Sequence, residues 1–249
     1  MMKLPTILSM AIATVQGLAQ GTRLSRRAAL LTVTTLPSLK SEAISSETVA
    51  LYDYGARDYD TEYSSSIVSR ILAFDSLRAE LLARCRGRVL ELGVGTGLNL
   101  PLYPSGNAVS SLEAVDVSSG MLAQARRRAA LTDLGFEVTF RTADAAALPY
   151  ADASFDTVID TFGLCVFDPP GAVLAEARRV LRPSGSLLLL EHDDGALSRG
   201  LSFTRSTTPV AGSCDYGQDV LALVRAAGFR VRATAPKAGG FLREVVAGP

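Results

Sequence analysis

From residue 85 onward, short apolar runs alternate with stretches in which apolar residues recur every three or four positions. The first run is Arg88-Val89-Leu90-Glu91-Leu92-Gly93, ending in glycines. Further β-rich runs end at Val115-Asp116-Val117 and cover Val138–Phe140, Phe155–Thr161, Ser186–Glu191, Arg230–Ala233 and Leu242–Val246. Between them the spacing predicts helices over Met121–Leu131, from Pro169 or Pro170 through Val180, and over Gln218–Ala227. Ser118 or Ser119 caps the first, Pro183 and Gly185 stop the second, and Gly228 closes the third. Four consecutive leucines in Ser186–Glu191 predict a strand buried on both faces. Strands alternating with helices imply an α/β fold with a mostly parallel sheet. Ahead of it, 47–63 and 66–84 read as helices, with Ile67, Ile71, Leu72, Leu77, Leu81 and Leu82 at helical spacing.

Charge divides the chain. Residues 1–40 hold Lys3, Arg23, Arg26, Arg27 and Lys40 and no acid, so the remainder carries a net −5 within a chain of zero net charge. Such an N-terminus resembles a targeting segment. Lys3 precedes an apolar stretch from Leu4 to Val15, and Arg26-Arg27 precede a second one. Residues 1–44 are expected to be a targeting segment for a plastid or mitochondrion, or else a disordered tail, with the folded domain spanning 45–249. An acidic body argues against nucleic-acid binding, which needs cationic surface. No apolar run is long enough for a membrane-spanning helix, which leaves peripheral membrane contact open. Three scattered cysteines and one histidine, His192, with no CxxC pair, argue against a disulfide framework and a metal site.

The chemistry concentrates in Glu91-Leu92-Gly93-Val94-Gly95-Thr96-Gly97-Leu98-Asn99. Glycine tolerates positive φ and lets backbone lie against a ligand. This loop follows a first strand, where open α/β sheets bind ligands. Its GxGxG spacing differs from the GxGxxG of dinucleotide folds and disfavours a nucleotide-dependent oxidoreductase. Asp116 ends the second strand, placed to accept bonds from two ribose hydroxyls. Asp144 follows the third strand, within reach of an adenine amino group.

The glycine loop, Asp116, Asp144 with Leu148-Pro149, Phe155-Asp156-Thr157-Val158 and Arg179-Val180-Leu181-Arg182-Pro183-Ser184-Gly185 resemble a class I S-adenosylmethionine-dependent methyltransferase of the small-molecule type. The resemblance runs from about 85 to 190. A narrower likeness rests on Asp160-Thr161-Phe162-Gly163-Leu164-Cys165, Asp168-Pro169, Leu190-Glu191-His192, Gly212-Ser213-Cys214 and the repeated Tyr52-Asp53 and Tyr59-Asp60. These are similar to fungal mitochondrial inner-membrane methyltransferases and to animal methyltransferase-like thiol methyltransferases. The chain departs from that group in a short connection between His192 and Cys214 and in having no Trp.

The resemblance implies a Rossmann-like seven-stranded sheet whose last strand is antiparallel, with S-adenosylmethionine as cofactor. Glu91, Gly93, Gly95, Gly97 and Asn99 are the expected contacts from the first strand and its loop, and Asp116 would hold the ribose. Val117 and Met121 would flank the adenine, Asp144 and Ala145 would meet its edge, and Asp160 and Thr161 would face the methyl. Residues 45–84 would form a helical lid. Tyr52 and Tyr59, seven apart, share a helix face there. Methyl transfer from a sulfonium needs alignment more than acid–base help, although a phenol acceptor wants a base. His192 is the candidate base. Cys165 is expected to pack, and Arg126, Arg127 and Arg128 to form a solvated face. The expected activity is methyl transfer to a thiol, phenol, quinone or lipid, with no oligomeric state specified. The alternative is a non-catalytic cofactor-binding assembly factor acting on a protein partner.

Overall fold

The computed structural model describes residues 45–61, 71–194 and 214–249. The expected targeting segment at 1–40 lies outside them. Seven strands form one sheet: β1 Gly87–Leu92, β2 Val109–Asp116, β3 Glu137–Thr142, β4 Phe155–Thr161, β5 Leu181–His192, β6 Arg230–Lys237 and β7 Leu242–Gly248. Their order is β3-β2-β1-β4-β5-β7-β6. The first five pair in parallel, while β7 runs antiparallel to both β5 and β6. This is the Rossmann-like arrangement expected.

Alternate residues of the central strands feed two apolar layers. Leu90, Val158, Leu187 and Leu189 face one side. There they meet Val173, Leu174 and Ala177 of helix α4, Pro170–Val180, and Val220 and Val224 of α5, Val220–Ala226. Val89, Ile159, Leu188 and Leu190 face the other side. They meet Leu81 and Leu82 of α2, Phe74–Leu82, and Leu122 of α3, Ser119–Ala129. The leucine run of β5 is thus shared two and two. Each such buried side chain contributes roughly 1.5–3 kcal/mol.

Four boundaries differ from expectation. Helix α1 covers only Ser46–Gly55, its Ser45 cap accepting from Thr48 N at 3.2 Å. A turn over 56–58 interrupts it before helix resumes at Tyr59. Glycine at the break is a poor helix former. The predicted helix over 66–84 is interrupted at 72–73: Ile71 is helical, a turn follows, and α2 starts at Phe74 after Ala73 adopts a left-handed backbone (φ 51°); Ile67 lies outside the described residues. Strand β5 begins at Leu181, directly after α4, and Pro183 and Gly185 produce a register shift against β4 instead of a coil. Strand β6 continues to Lys237. No helix among the described residues is long and apolar enough to cross a membrane.

The strand order reverses between β1 and β4, so their carboxyl ends open a crevice. Gly97 anchors the loop that enters it. Its φ is 79°, and a Cβ there would stand 2.7 Å from Leu100 Cδ1 and 3.2 Å from Ala125 Cα. A left-handed backbone costs other residues roughly 1–2 kcal/mol and overpacking about 1–3. Gly97→Val is therefore expected to destabilise the fold by about 2–5 kcal/mol, read as a lower urea midpoint; an unchanged midpoint would refute this account.

Candidate active site

The loop after β1 turns on Gly93 and Gly95, both at φ 56°. A Cβ on Gly93 would reach only the Phe167 ring, at 3.5 Å, and one on Gly95 only the Gly93 carbonyl, at 3.9 Å. Backbone conformation, not crowding, requires glycine at both, and the space above the loop is open. Asp116, at the end of β2, ties the loop down. Its Oδ2 accepts from Gly95 N at 2.9 Å and its Oδ1 from Ser118 N at 2.9 Å. Burial pushes this carboxyl up to about 6, and the two N–H donors oppose the shift. Ser118 is the helix cap, accepting from Met121 N at 3.0 Å.

Glu91 is buried at the end of β1. Asn99 Nδ2 donates to its Oε1 at 2.9 Å and the Tyr103 hydroxyl to its Oε2 at 2.8 Å. Burial still pushes it up to about 7. Asn99 Nδ2 also lies 3.0 Å from Thr161 Oγ1. Its buried Oδ1 has no hydrogen-bond partner among the described residues, so the site offers an acceptor to a ligand.

These groups wall a cleft of about 90 Å³. The structure brings to it Tyr52, Tyr59, Glu91, Gly93, Gly95, Asn99, Asp116, Val117, Met121 and Thr161 from the expected set. Gly97, Asp144, Ala145, Asp160 and His192 do not line it. Gly97 acts behind the loop. Asp144 instead accepts from Ala146 N at 2.8 Å, and Ala145 packs in the core. Asp160 turns beneath the segment after β4, close enough to Gly163 that a Cβ there would lie 2.3 Å from its Oδ1. Burial pushes Asp160 up to about 7. His192 sits among Phe162, Tyr216 and Phe241, with ring centroids at 5.3, 4.7 and 5.0 Å. Burial lowers its pKa to about 4, so the ring accepts protons poorly and, being outside the cleft wall, is not placed as a base.

The two tyrosines expected on a helical lid lie on a helix broken at 56–58. Tyr52 and Tyr59 both face the cleft. Burial pushes the Tyr59 phenol up to about 12, with the nearby Arg78 charge opposing, so it stays protonated. The aspartates next to these tyrosines, part of the narrower likeness but given no role by it, are anchors. Asp53 Oδ1 accepts from Ser118 Oγ at 2.6 Å and Gly120 N at 2.8 Å. Asp60 accepts from Thr96 Oγ1 at 2.5 Å and pairs with Arg128. Arg128 Nε donates to the Thr96 carbonyl at 3.1 Å, so this arginine clasps the glycine loop and is not simply a solvated residue. Arg78, Phe162 and Phe167 complete the wall. Arg78 is buried, its guanidinium 4.9 Å from the Phe162 ring centroid. Nothing in its helical spacing marks it, since burial depends on the cleft opposite.

Strand order, glycine loop and the acid ending β2 resemble those of class I S-adenosylmethionine-dependent methyltransferase domains. Residues 90–189 match the family described as a methyltransferase domain. The chain is 41% identical over 117 residues to a phosphatidylethanolamine N-methyltransferase of Cereibacter sphaeroides, covering 45% of this chain and 55% of that protein. It is 34% identical over 146 residues to a demethylmenaquinone methyltransferase of Renibacterium salmoninarum, covering 58% of each. It thus spans little more than half the length of these relatives. In fold it is similar to a methyltransferase of Thermotoga maritima described as a possible histamine N-methyltransferase, with TM-score 0.61 and 23% identity over 81% of this chain and 99% of that one.

Proposed function

We propose that the chain transfers a methyl group from S-adenosylmethionine to a small, largely apolar acceptor such as a thiol, a phenol or quinone, or a lipid. The observation that carries this is a single cleft in which cofactor-type contacts and an aromatic wall meet: Glu91, Asn99 and Asp116 on one side, Phe162, Val166 and Phe167 on the other. When bound, S-adenosylmethionine supplies a methyl already activated by the sulfonium charge. Asp116 would take the ribose hydroxyls. The unpartnered Asn99 Oδ1 would accept from the ammonium of the methionine part, and buried Arg78 would face its carboxylate. Glu91 would hold a positive charge near the sulfonium end. Tyr52 and Tyr59 would close over the reactants and exclude water, which strengthens electrostatic contacts in the cleft. In-line alignment is the main contribution asked of these residues. The relatives' names, a phospholipid and a quinone methyltransferase, support an apolar acceptor. The organelle address at 1–40 belongs to the same proposal, and expressing those residues fused to a fluorescent reporter tests it.

Calorimetric titration of the full chain with S-adenosylhomocysteine is expected to give a dissociation constant in roughly the micromolar range. Gly95→Arg, which fills the open space over the loop, is expected to abolish binding. No binding by a folded parent would overturn the reading. Binding without methyl consumption across thiol, phenol and lipid acceptors would favour the non-catalytic assembly factor.

A further inference from the structure

Three side chains far apart in the chain meet at one point behind the aromatic wall. Cys165 follows β4, His192 ends β5, and Cys214 precedes α5, yet their ligand atoms all lie within 4.8 Å of one another. Cys165 and His192 are buried and Cys214 is half-buried. The backbone is built to keep them together: Asp215 N donates to the Cys165 carbonyl at 2.8 Å. His192 is only 9% exposed, and its Nδ1 has no hydrogen-bond partner among the described residues. A buried ring nitrogen in that state needs an occupant.

We propose that Cys165, His192 and Cys214 bind a zinc-class divalent metal ion. Two thiolates and one imidazole form a soft sulfur–nitrogen donor set of the kind zinc takes, with a fourth position left for water or another ligand. A disulfide is the competing use of the two cysteines. The sulfurs stand 2.7 Å apart, longer than the bond of about 2.05 Å in a disulfide. A disulfide would also leave the His192 nitrogen unpartnered. Two sulfurs each about 2.3 Å from a tetrahedral ion stand roughly 3.8 Å apart, so loading requires this pair to open by about 1 Å. Binding replaces two S–H bonds by two S–metal bonds and releases two protons, and no electrons move.

The ion would tie the turn after β4 to the end of β5 and to the segment before α5. Phe162, a cleft residue packed on His192, and Val166, next to Cys165, would be fixed by it. This assignment stands independently of the methyl-transfer reading. Scattered spacing alone argued against a metal; the pairing of β4 with β5 is what assembles the ligands.

The test is elemental analysis of the untagged full-length protein, purified without chelators. About one zinc per chain is expected, falling to under roughly a tenth in Cys165→Ser/Cys214→Ser and unchanged in Cys85→Ser. Should the double variant fail to fold, cobalt loading of the parent decides. A thiolate-to-cobalt charge-transfer band, with about two protons released per ion, would support the site. A parent that neither contains zinc nor takes up added zinc or cobalt would overturn it, as would equal zinc in a folded double variant. A Cys165–Cys214 disulfide in the peptide map of the native protein would also overturn it.

Discussion

Asp116→Ala is expected to weaken S-adenosylhomocysteine binding by about a hundredfold or more while the protein remains folded. Hydrogen bonds to a charged group contribute about 1.5–3 kcal/mol each, and two ribose hydroxyls are at stake. The carboxylate also holds Gly95 N and Ser118 N, both at 2.9 Å, so its loss frees the loop as well. Stability should change less than affinity, because removing a buried carboxyl also removes its desolvation cost. Asp116→Asn keeps one acceptor oxygen and should fall between. The parent's carboxyl titrates at about 6, so the gap between parent and variant should narrow as pH falls through that value. Calorimetry at pH 8 and pH 5 reads both effects. An affinity within threefold of the parent at pH 8 would place the ribose elsewhere.

Thermal stability is expected to fall as pH rises from 5 to 8, contrary to the usual behaviour of a protein rich in paired carboxylates. Glu91 has its pKa raised by burial from 4.5 to about 7. Below 4.5 it is protonated in both folded and unfolded chains. Between the two values the unfolded chain loses the proton and the folded chain keeps it. The folded state then binds more protons, so stability declines with rising pH and the full penalty is present above about 7. At about 1.4 kcal/mol per pKa unit the penalty is on the order of 3 kcal/mol, or about 6–12 °C in melting temperature for a domain of this size. Asp116 acts in the same direction over 3.8 to about 6. Glu176 and Asp156, paired with Arg179 and Arg182, are lowered and lose their contribution only as pH falls below the ordinary carboxylate range. His192, lowered by burial from 6.5 to about 4, opposes the decline below about 6.5, while Asp160, raised by burial to about 7, adds to it, so the net fall should be steepest between about 6.5 and 7. Glu91→Gln is expected to flatten the decline, since the Tyr103 hydroxyl can donate or accept and so adapts to an amide. Melting curves of parent and variant across that range test this, and a parent that gains stability up to pH 8 would sink it.

The sheet and the cleft-lining groups of its first two strands are legible because they are local in the sequence. Glu91 through Asn99 are one strand end and one loop, and Asp116 is the end of the next strand. Their contacts follow from chain order and parallel pairing. What the spacing missed depends on contacts across the sheet or between distant segments. Arg78 reads as an ordinary helix position and becomes a wall residue only through the cleft facing it. Asp53 and Asp60 stand beside tyrosines that share a helical period, but their partners Ser118, Gly120, Thr96 and Arg128 belong to other elements. His192 looked suited to catalysis because it titrates near neutrality. Its place among three aromatic rings removes that property, and no local pattern announces those rings. Asp160 follows the motif in register, yet the left-handed Phe162 (φ 64°) and the tight approach of Gly163 accompany a carboxyl that lies under the turn.

Strand β7 lies between β5 and β6, although it follows β6 in the chain. During synthesis on the ribosome, β6 emerges before the only strand it pairs with, and β5 waits with one edge bare. That side of the sheet cannot close vectorially. It must wait for β7 to enter as a wedge between two strands already made, bonding both at once. Until then the nascent chain exposes apolar strand edges of the kind chaperones hold.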